Sequence, residues 1–259
     1  MLRPRIIPCL LIHKKGLVKT KFFKFPKYIG DPINSVRIFN ELKVDELMIL
    51  DIDATVNRAE PNYELISMLA AECSSPLCYG GGIKNVDQAL RILDLGVEKI
   101  AVSAAAVANP SILSSISSFI GQQSVVGVID TRSISTHFGK EYKVFTHNGN
   151  TLHKEGCIEL AKIFENSGAG EIVINSIDRD GEMLGYNIEL AQEIRSVLKV
   201  PLTFLGGAGS LNDINELIQA CGLVGAAAGS LFFFKGKYNS VLINYPSVKQ
   251  KNELFQSIF

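Results

Sequence analysis

The sequence predicts an α/β fold, a closed (β/α)8 barrel built from two similar halves, and three observations carry that prediction. Eight short apolar or β-branched runs alternate with longer amphipathic segments, the pattern of a parallel sheet covered on both faces. The 259 residues match the usual length of one such barrel. The chain also repeats itself. ELMILDID at Glu46–Asp53 returns 125 positions later as EIVINSID at Glu171–Asp178, and YGGGIKNVDQALRILDLG at Tyr79–Gly96 returns as LGGAGSLNDINELIQACG at Leu205–Gly222. A period of four βα units marks half a barrel rather than a solenoid repeat. An open doubly wound sheet is the rival, but no GxGxxG follows the first strand. One barrel domain over residues 1–259 is expected.

In chain order, the first strand is Ile6–Ile12. A lysine-rich segment follows, HKKGLVKTKFFKFPK, with six lysines from Lys14 to Lys27, expected to be a mobile lid over an anionic substrate. Asp31 as N-cap and Pro32 at the first helical position open a helix over Asp31–Leu42. Strands at Glu46–Ile52, Leu77–Gly80 and Lys99–Ser103 then alternate with helical patterns at Glu64–Ala71, Val86–Leu95 and Pro110–Phe119. The second half opens with Val125–Asp130, and TRSISTHFGKEYKVFTHNG reads as a β-hairpin excursion from it. A helix at Leu152–Asn166 and the strand Glu171–Ser176 follow. The helix Ile188–Val197, the strand Leu202–Leu205, the helix Asn212–Ala220 and the strand Val224–Ala227 close the series. Ile6–Leu11 and Val125–Asp130 match at an offset of 119 residues, so Leu11 and Asp130 hold equivalent positions in the two halves.

Composition excludes several classes. Hydrophobic residues are 47% of the chain and charged residues 20%, enough core and too little charge for disorder. The 26 basic and 26 acidic side chains cancel, leaving no overall pull toward nucleic acid or membrane. One basic loop, even with Phe22, Phe23 and Phe25, is weak support for nucleic-acid binding. The five cysteines are odd in number and lack zinc-ligand spacing, so they read as free buried thiols in a reducing cytosol. No apolar stretch is long enough to span a bilayer and no signal-peptide core begins the chain; a cytoplasmic protein without cofactor or metal is expected.

The chemistry is expected at the C-terminal ends of the strands, where barrels place their sites. Glycine-rich turns follow the third and seventh strands, Gly80-Gly81-Gly82 and Gly206-Gly207-Ala208-Gly209. Small residues follow the fourth and eighth, Ser103-Ala104-Ala105 and Gly229-Ser230. Backbone N–H groups there suit two phosphates at opposite ends of one ligand, or else the glycines only allow close packing. The second cup, around Gly229 and Ser230, reads as the better formed. Asp130 closes an apolar strand and reads as catalytic. Asp51 and Asp53 close the second strand, and Asp178 and Asp180 follow the sixth; for Asp53 and Asp178 an ion pair or N-cap is the plainer role. His13 suits a general base but reads more simply as a solvated side chain, and His137, His147 and His153 show no partner pattern. At the opposite end, Arg5, Glu46, Lys99 and Glu171 stand at strand starts and suit a ring of ion pairs, either a plug or a gate.

RIIPCL, DELMILDI, GGGI, ANPSIL, INSIDRDGEMLGY, GGAG and GSLFFF together resemble the cyclase subunit of imidazole glycerol phosphate synthase, of histidine biosynthesis. The resemblance runs from Leu2 to about Phe234. It implies a class I glutaminase subunit docked on the barrel's bottom. Ammonia would travel through the core to the other face, to be added to a bis-phosphorylated ribulosyl-formimino aminoimidazole ribonucleotide. In that family Arg5, Glu46, Lys99 and Glu171 match the channel gate, Glu98 an acidic residue facing the glutaminase, and Lys19 a lysine of the first loop. Gly82, Asp180, Gly181, Gly207, Gly229 and Ser230 match phosphate-binding positions.

Three departures accompany the match. Leu11 stands where the family has the aspartate that partners Asp130 in acid–base chemistry. Ser103-Ala104 replaces an Asn-Thr pair of the first phosphate site, and Leu205 replaces a serine of the second. The losses gather on the catalytic face while the gate is intact. This pattern resembles paralogues in surface-polysaccharide pathways that supply ammonia to a separate sugar-amidating enzyme. An active cyclase and a scaffold that only activates the glutaminase are the other readings.

Overall fold

The computed structural model describes residues 3–136, 139–236 and 240–256. Eight parallel strands close into a barrel: β1 (Arg5–His13), β2 (Leu47–Asp51), β3 (Leu77–Gly80), β4 (Lys99–Val102), β5 (Val125–Thr136), β6 (Glu171–Ser176), β7 (Leu202–Leu205) and β8 (Gly225–Ala228). Each pairs in parallel with its neighbours in chain order, and β8 returns to β1 in the register Arg5↔Gly225 to Pro8↔Ala228. The predicted (β/α)8 barrel is the observed fold.

The helices begin where side-chain chemistry starts them. Asp31 Oδ1 accepts from Asn34 N at 2.8 Å and Pro32 is the first residue of the helix Pro32–Glu41. Asn62, Asn85 and Asn187 cap Tyr63–Glu72, Val86–Asp94 and Ile188–Val197 in the same way, and Ser210 with Asp213 forms a capping box on Leu211–Cys221. Their apolar faces pack on the outside of the strands in one continuous core that includes Ile6, Leu10, Phe39, Ile49 and Phe164. No helix among the described residues is long and apolar enough to cross a membrane.

Two expectations about elements need correction. The lysine-rich segment after β1 is a β-hairpin, Gly16–Lys21 with Lys24–Gly30, whose first strand pairs antiparallel with β1 from Leu11↔Val18 onward. In the second half, β5 runs six residues past Asp130 and pairs with Gly139–Thr146, as the predicted excursion requires. Its third strand, Thr151–Gly156, occupies the start of the segment predicted as helix, which begins only at Cys157. Leu152 mimics a helical apolar position but stands exposed on that outer strand. Each half-barrel therefore opens with a strand carrying a two-stranded antiparallel extension.

Inward-facing positions form a second core inside the barrel. Ile7, Cys9, Met48, Cys78, Ala101, Val126, Val128, Val173, Leu205 and Ala227 make one buried cluster, with Leu11 and Leu50 packed against its upper end. Every side chain in it is apolar or a thiol.

Candidate active face and ionic ring

At the N-terminal ends of the strands, the four charges predicted to meet do meet. Arg5 donates to Glu46 and, at 2.8 Å, to Glu171. Lys99 Nζ lies 2.8 Å from both Glu46 and Glu171. The result is a closed cycle of alternating sign, with both carboxylates buried beneath the partly exposed cations. Thr203 adds a hydroxyl to Glu171 at 2.5 Å. Burial alone would raise the Glu171 pKa, but Arg5 and Lys99 outweigh it and hold the carboxylate below its ordinary range. Glu98 stands exposed on the same rim and accepts from Leu77 N at 2.7 Å.

At the C-terminal ends two cavities open side by side, and Leu11, Phe23 and Asn175 line both. The larger, about 330 Å³, belongs mainly to the first half: Asp51, Gly80–Gly82, Ser103, Ala104 and Asp130 border it, with Arg58 and Lys84 at its rim. The smaller, about 40 Å³, is bordered by Lys19, Asp180, Gly181, Gly207, Gly229 and Ser230. All the predicted phosphate-binding positions thus fall on one cavity or the other.

The second cup, expected to be the better formed, is the smaller because the chain reaches into it. Lys19 is only 5% exposed, and its Nζ donates to the Cys9 carbonyl at 2.5 Å. A Cβ on Gly229 would come within 2.6 Å of that nitrogen, so a larger residue there would displace the lysine tip. Burial lowers the Lys19 pKa to about 8, against the attraction of Asp180. Asp180 in turn holds the hairpin down: its carboxylate accepts from Thr20 Oγ1 at 2.7 Å and Phe23 N at 2.9 Å, and its carbonyl from Phe22 N.

Asp130 is the central titratable group. It is half-buried at the edge of the larger cavity, and Asn175 Nδ2 donates to its Oδ1 at 2.9 Å. Burial raises its pKa to about 7, with Asn175 opposing and Asp180 adding to the rise. A carboxyl that titrates near neutrality both gives and takes a proton, as a general acid–base must. In the ladders, Asp130 pairs with Asn175 across β5 and β6, and Leu11 pairs with Leu50 across β1 and β2. Leu50 and Asn175 are 125 positions apart, the spacing of the repeat. The hydrogen-bonded polar pair of one half is therefore an apolar pair in the other.

The remaining sequence candidates are placed as follows. Asp53 accepts from Lys14 N and lies 2.7 Å from His13 Nδ1, so His13 is a partnered side chain at the hairpin's base rather than a solvated one. Asp178 accepts from Ser133 N at 2.6 Å and lies 3.6 Å from Arg132, the structural role expected for it. His153 bonds Thr146, and His137 lies outside the described residues. The five cysteines are free thiols. Sequence reasoning did not single out Asn175 or Asn148 and set aside Phe23 and His147, yet all four border the larger cavity. For Asn175 the repeat itself was the available signal.

A family profile described as histidine biosynthesis protein matches residues 5–239. The chain is 54% identical over 255 residues to a protein of Leptospira borgpetersenii provisionally named imidazole glycerol phosphate synthase subunit HisF, covering 98% of this chain and all of the relative. It is 49% identical over 250 residues to a Pseudomonas aeruginosa protein provisionally named as subunit hisF2 of the same synthase, covering 96% and 98% of the two chains. Against the imidazole glycerol phosphate synthase subunit HisF of Hyphomonas neptunium, identity is 36% over 234 residues, covering 90% and 91%. The barrel and these matches agree: the chain belongs to the imidazole glycerol phosphate synthase subunit HisF family, on a paralogous branch of it.

Proposed function

We propose that this barrel receives ammonia from a class I glutaminase partner and delivers it at the C-terminal face, in a paralogous role such as sugar amidation in surface-polysaccharide biosynthesis. The relatives are named as synthase subunits, which supports an enzyme-complex role with a partner. In this reading Arg5, Glu46, Lys99 and Glu171 gate the lower end, Glu98 faces the glutaminase, and the apolar interior carries the ammonia. Asp130 is the acid–base group of the face, in one barrel domain spanning residues 1–259. Gly82, Ser103 and Ala104 hold one anionic group of a phosphorylated ligand; Lys19, Asp180, Gly181, Gly207, Gly229 and Ser230 hold another. The acceptor of the ammonia is a separate sugar amidotransferase.

One observation carries the reading away from the family's cyclisation: Leu11 and Leu50 stand where Asp130 and Asn175 stand in the other half. A leucine neither gives nor takes a proton, and losing a positioned acid–base group costs about 10²–10⁴ in rate. The test is turnover of the histidine-pathway intermediate with ammonium salt, wild type against Leu11→Asp. Wild type is expected to be slower than family cyclases by that factor, with the substitution recovering part of it. Full activity in the wild type would sink the paralogue reading and leave an ordinary cyclase.

A further inference from the structure

The segment after the barrel, from Ser240 onward, lies beyond the residues matched by the family profile, yet it reaches Ile6 and Asp45, the residues next to two members of the ionic ring. Leu242 N and Asn244 N donate to the carbonyls of Phe233 and Phe232, laying the segment along the turn that follows β8. Tyr245 then packs its ring 5.5 Å from that of Phe232 and sends its hydroxyl between β1 and β2. That hydroxyl donates to the Ile6 carbonyl at 2.8 Å and accepts from Asp45 N at 3.1 Å. From the helix Val248–Gln256, Lys251 places its Nζ 2.7 Å from Asp45, and both side chains are about 95% buried. The Asp45 carboxylate also accepts from Ile6 N at 3.0 Å and Arg3 at 3.2 Å.

Ile6 and Asp45 are the chain neighbours of Arg5 and Glu46, which form one edge of the ring. The regular β1–β2 ladder runs only from Cys9↔Met48 upward. Below it, the Tyr245 hydroxyl bridges Ile6 O and Asp45 N, the Asp45 carboxylate accepts from Ile6 N, and Lys251 holds that carboxylate from the C-terminal helix. We propose that Tyr245 and Lys251 are positioning residues of the ionic ring, a C-terminal strap that holds Arg5 and Glu46 together so that the lower end of the barrel stays shut. This rests on the reading of the ring as a gate, and the test below uses the barrel alone, so a failure to find a glutaminase partner would not touch it.

The barrel carries its own reporter. Cys78 is fully buried in the interior cluster, in register with Lys99. Cys157 is equally buried but lies in the outer core, as the first residue of the helix Cys157–Asn166. The full-length chain, wild type and Tyr245→Phe, Lys251→Met and Lys251→Arg variants, would be exposed to methyl methanethiosulfonate and the modified cysteines counted by peptide mass. In Tyr245→Phe and Lys251→Met, Cys78 should react faster by about tenfold, the change that one or two lost hydrogen bonds make in a local opening. Cys157 should keep its wild-type rate, and Lys251→Arg should restore protection of Cys78. Tyr245→Phe keeps the packing of the ring, so it remains readable where Lys251→Met does not fold. Parallel acceleration of Cys78 and Cys157, or an unchanged Cys78 rate in folded Tyr245→Phe, overturns the proposal.

Discussion

Replacing Asp130 with asparagine should stabilise the protein, and by an amount that depends on pH. The carboxyl titrates near 7 in the folded barrel because burial disfavours its charge, against an ordinary value of 3.8. Between those two values the folded state holds a proton that the unfolded chain has lost. Stability therefore falls by about 1.4 kcal/mol per pH unit through that window and stays low above it. The accumulated cost at pH 8 is on the order of 4 kcal/mol, and below pH 4 it vanishes. An asparagine keeps the oxygen that accepts from Asn175 and never ionises, so it escapes the cost. Urea unfolding of wild type and Asp130→Asn at pH 4, 6 and 8 should show no difference at the first and the full difference at the last. In melting temperature the gap at pH 8 is roughly 10 °C. A difference that is the same at every pH would refute the argument, because it would mean that the Asp130 charge is not what burial penalises.

Lys19 gives the mirror-image case. Its pKa of about 8 lies below the ordinary 10.5, so Lys19→Met should stabilise at pH 7 by on the order of 3 kcal/mol and have no effect above pH 11; parallel melts across that range check it. Glu171→Gln leaves Arg5 and Lys99 with one carboxylate between them and should destabilise by about 3–5 kcal/mol, read by urea titration. The wild-type ring should likewise weaken in acid, as pH falls through the depressed pKa of Glu171. Gly181 has φ +71 and its missing Cβ faces the Thr20 carbonyl, so Gly181→Ala should cost about 1–3 kcal/mol. It should also loosen the hairpin, exposing the lysines between Lys14 and Lys27 to trypsin, with digestion at those bonds unchanged if the contact is unimportant.

Much of the fold was legible because its signals are local. Strand positions follow from apolar runs and the first helix start from Asp31 and Pro32, which act within a turn of the chain. The ionic ring was legible too, since two positive and two negative side chains stand at the starts of four apolar strands. What escaped depends on long-range contacts. The lysine-rich segment reads as a loop because its hairpin is fixed by Asp180, 160 positions from Thr20. Lys19 reads as one lysine of a mobile lid because nothing nearby in sequence shows that its ammonium turns inward to the Cys9 carbonyl. Leu152 carries a helical pattern but is captured by the adjacent strand of the excursion. Asn175, the polar partner of Asp130, meets it only across the β5–β6 ladder, 45 positions away, so neither strand alone shows the pair.

The two antiparallel extensions, one on β1 and one on β5, have a consequence for how such a protein changes its chemistry. Each half of the barrel brings its own roof, rooted at the residue that in one half is Asp130 and in the other Leu11. A mutation at that root changes the chemistry one half presents to the shared face while the sister half keeps its own copy of the same architecture. Duplication thus gives the molecule a spare: one half can hold the old arrangement of acid and amide while the other is free to become apolar, without the barrel ever passing through a form that has neither.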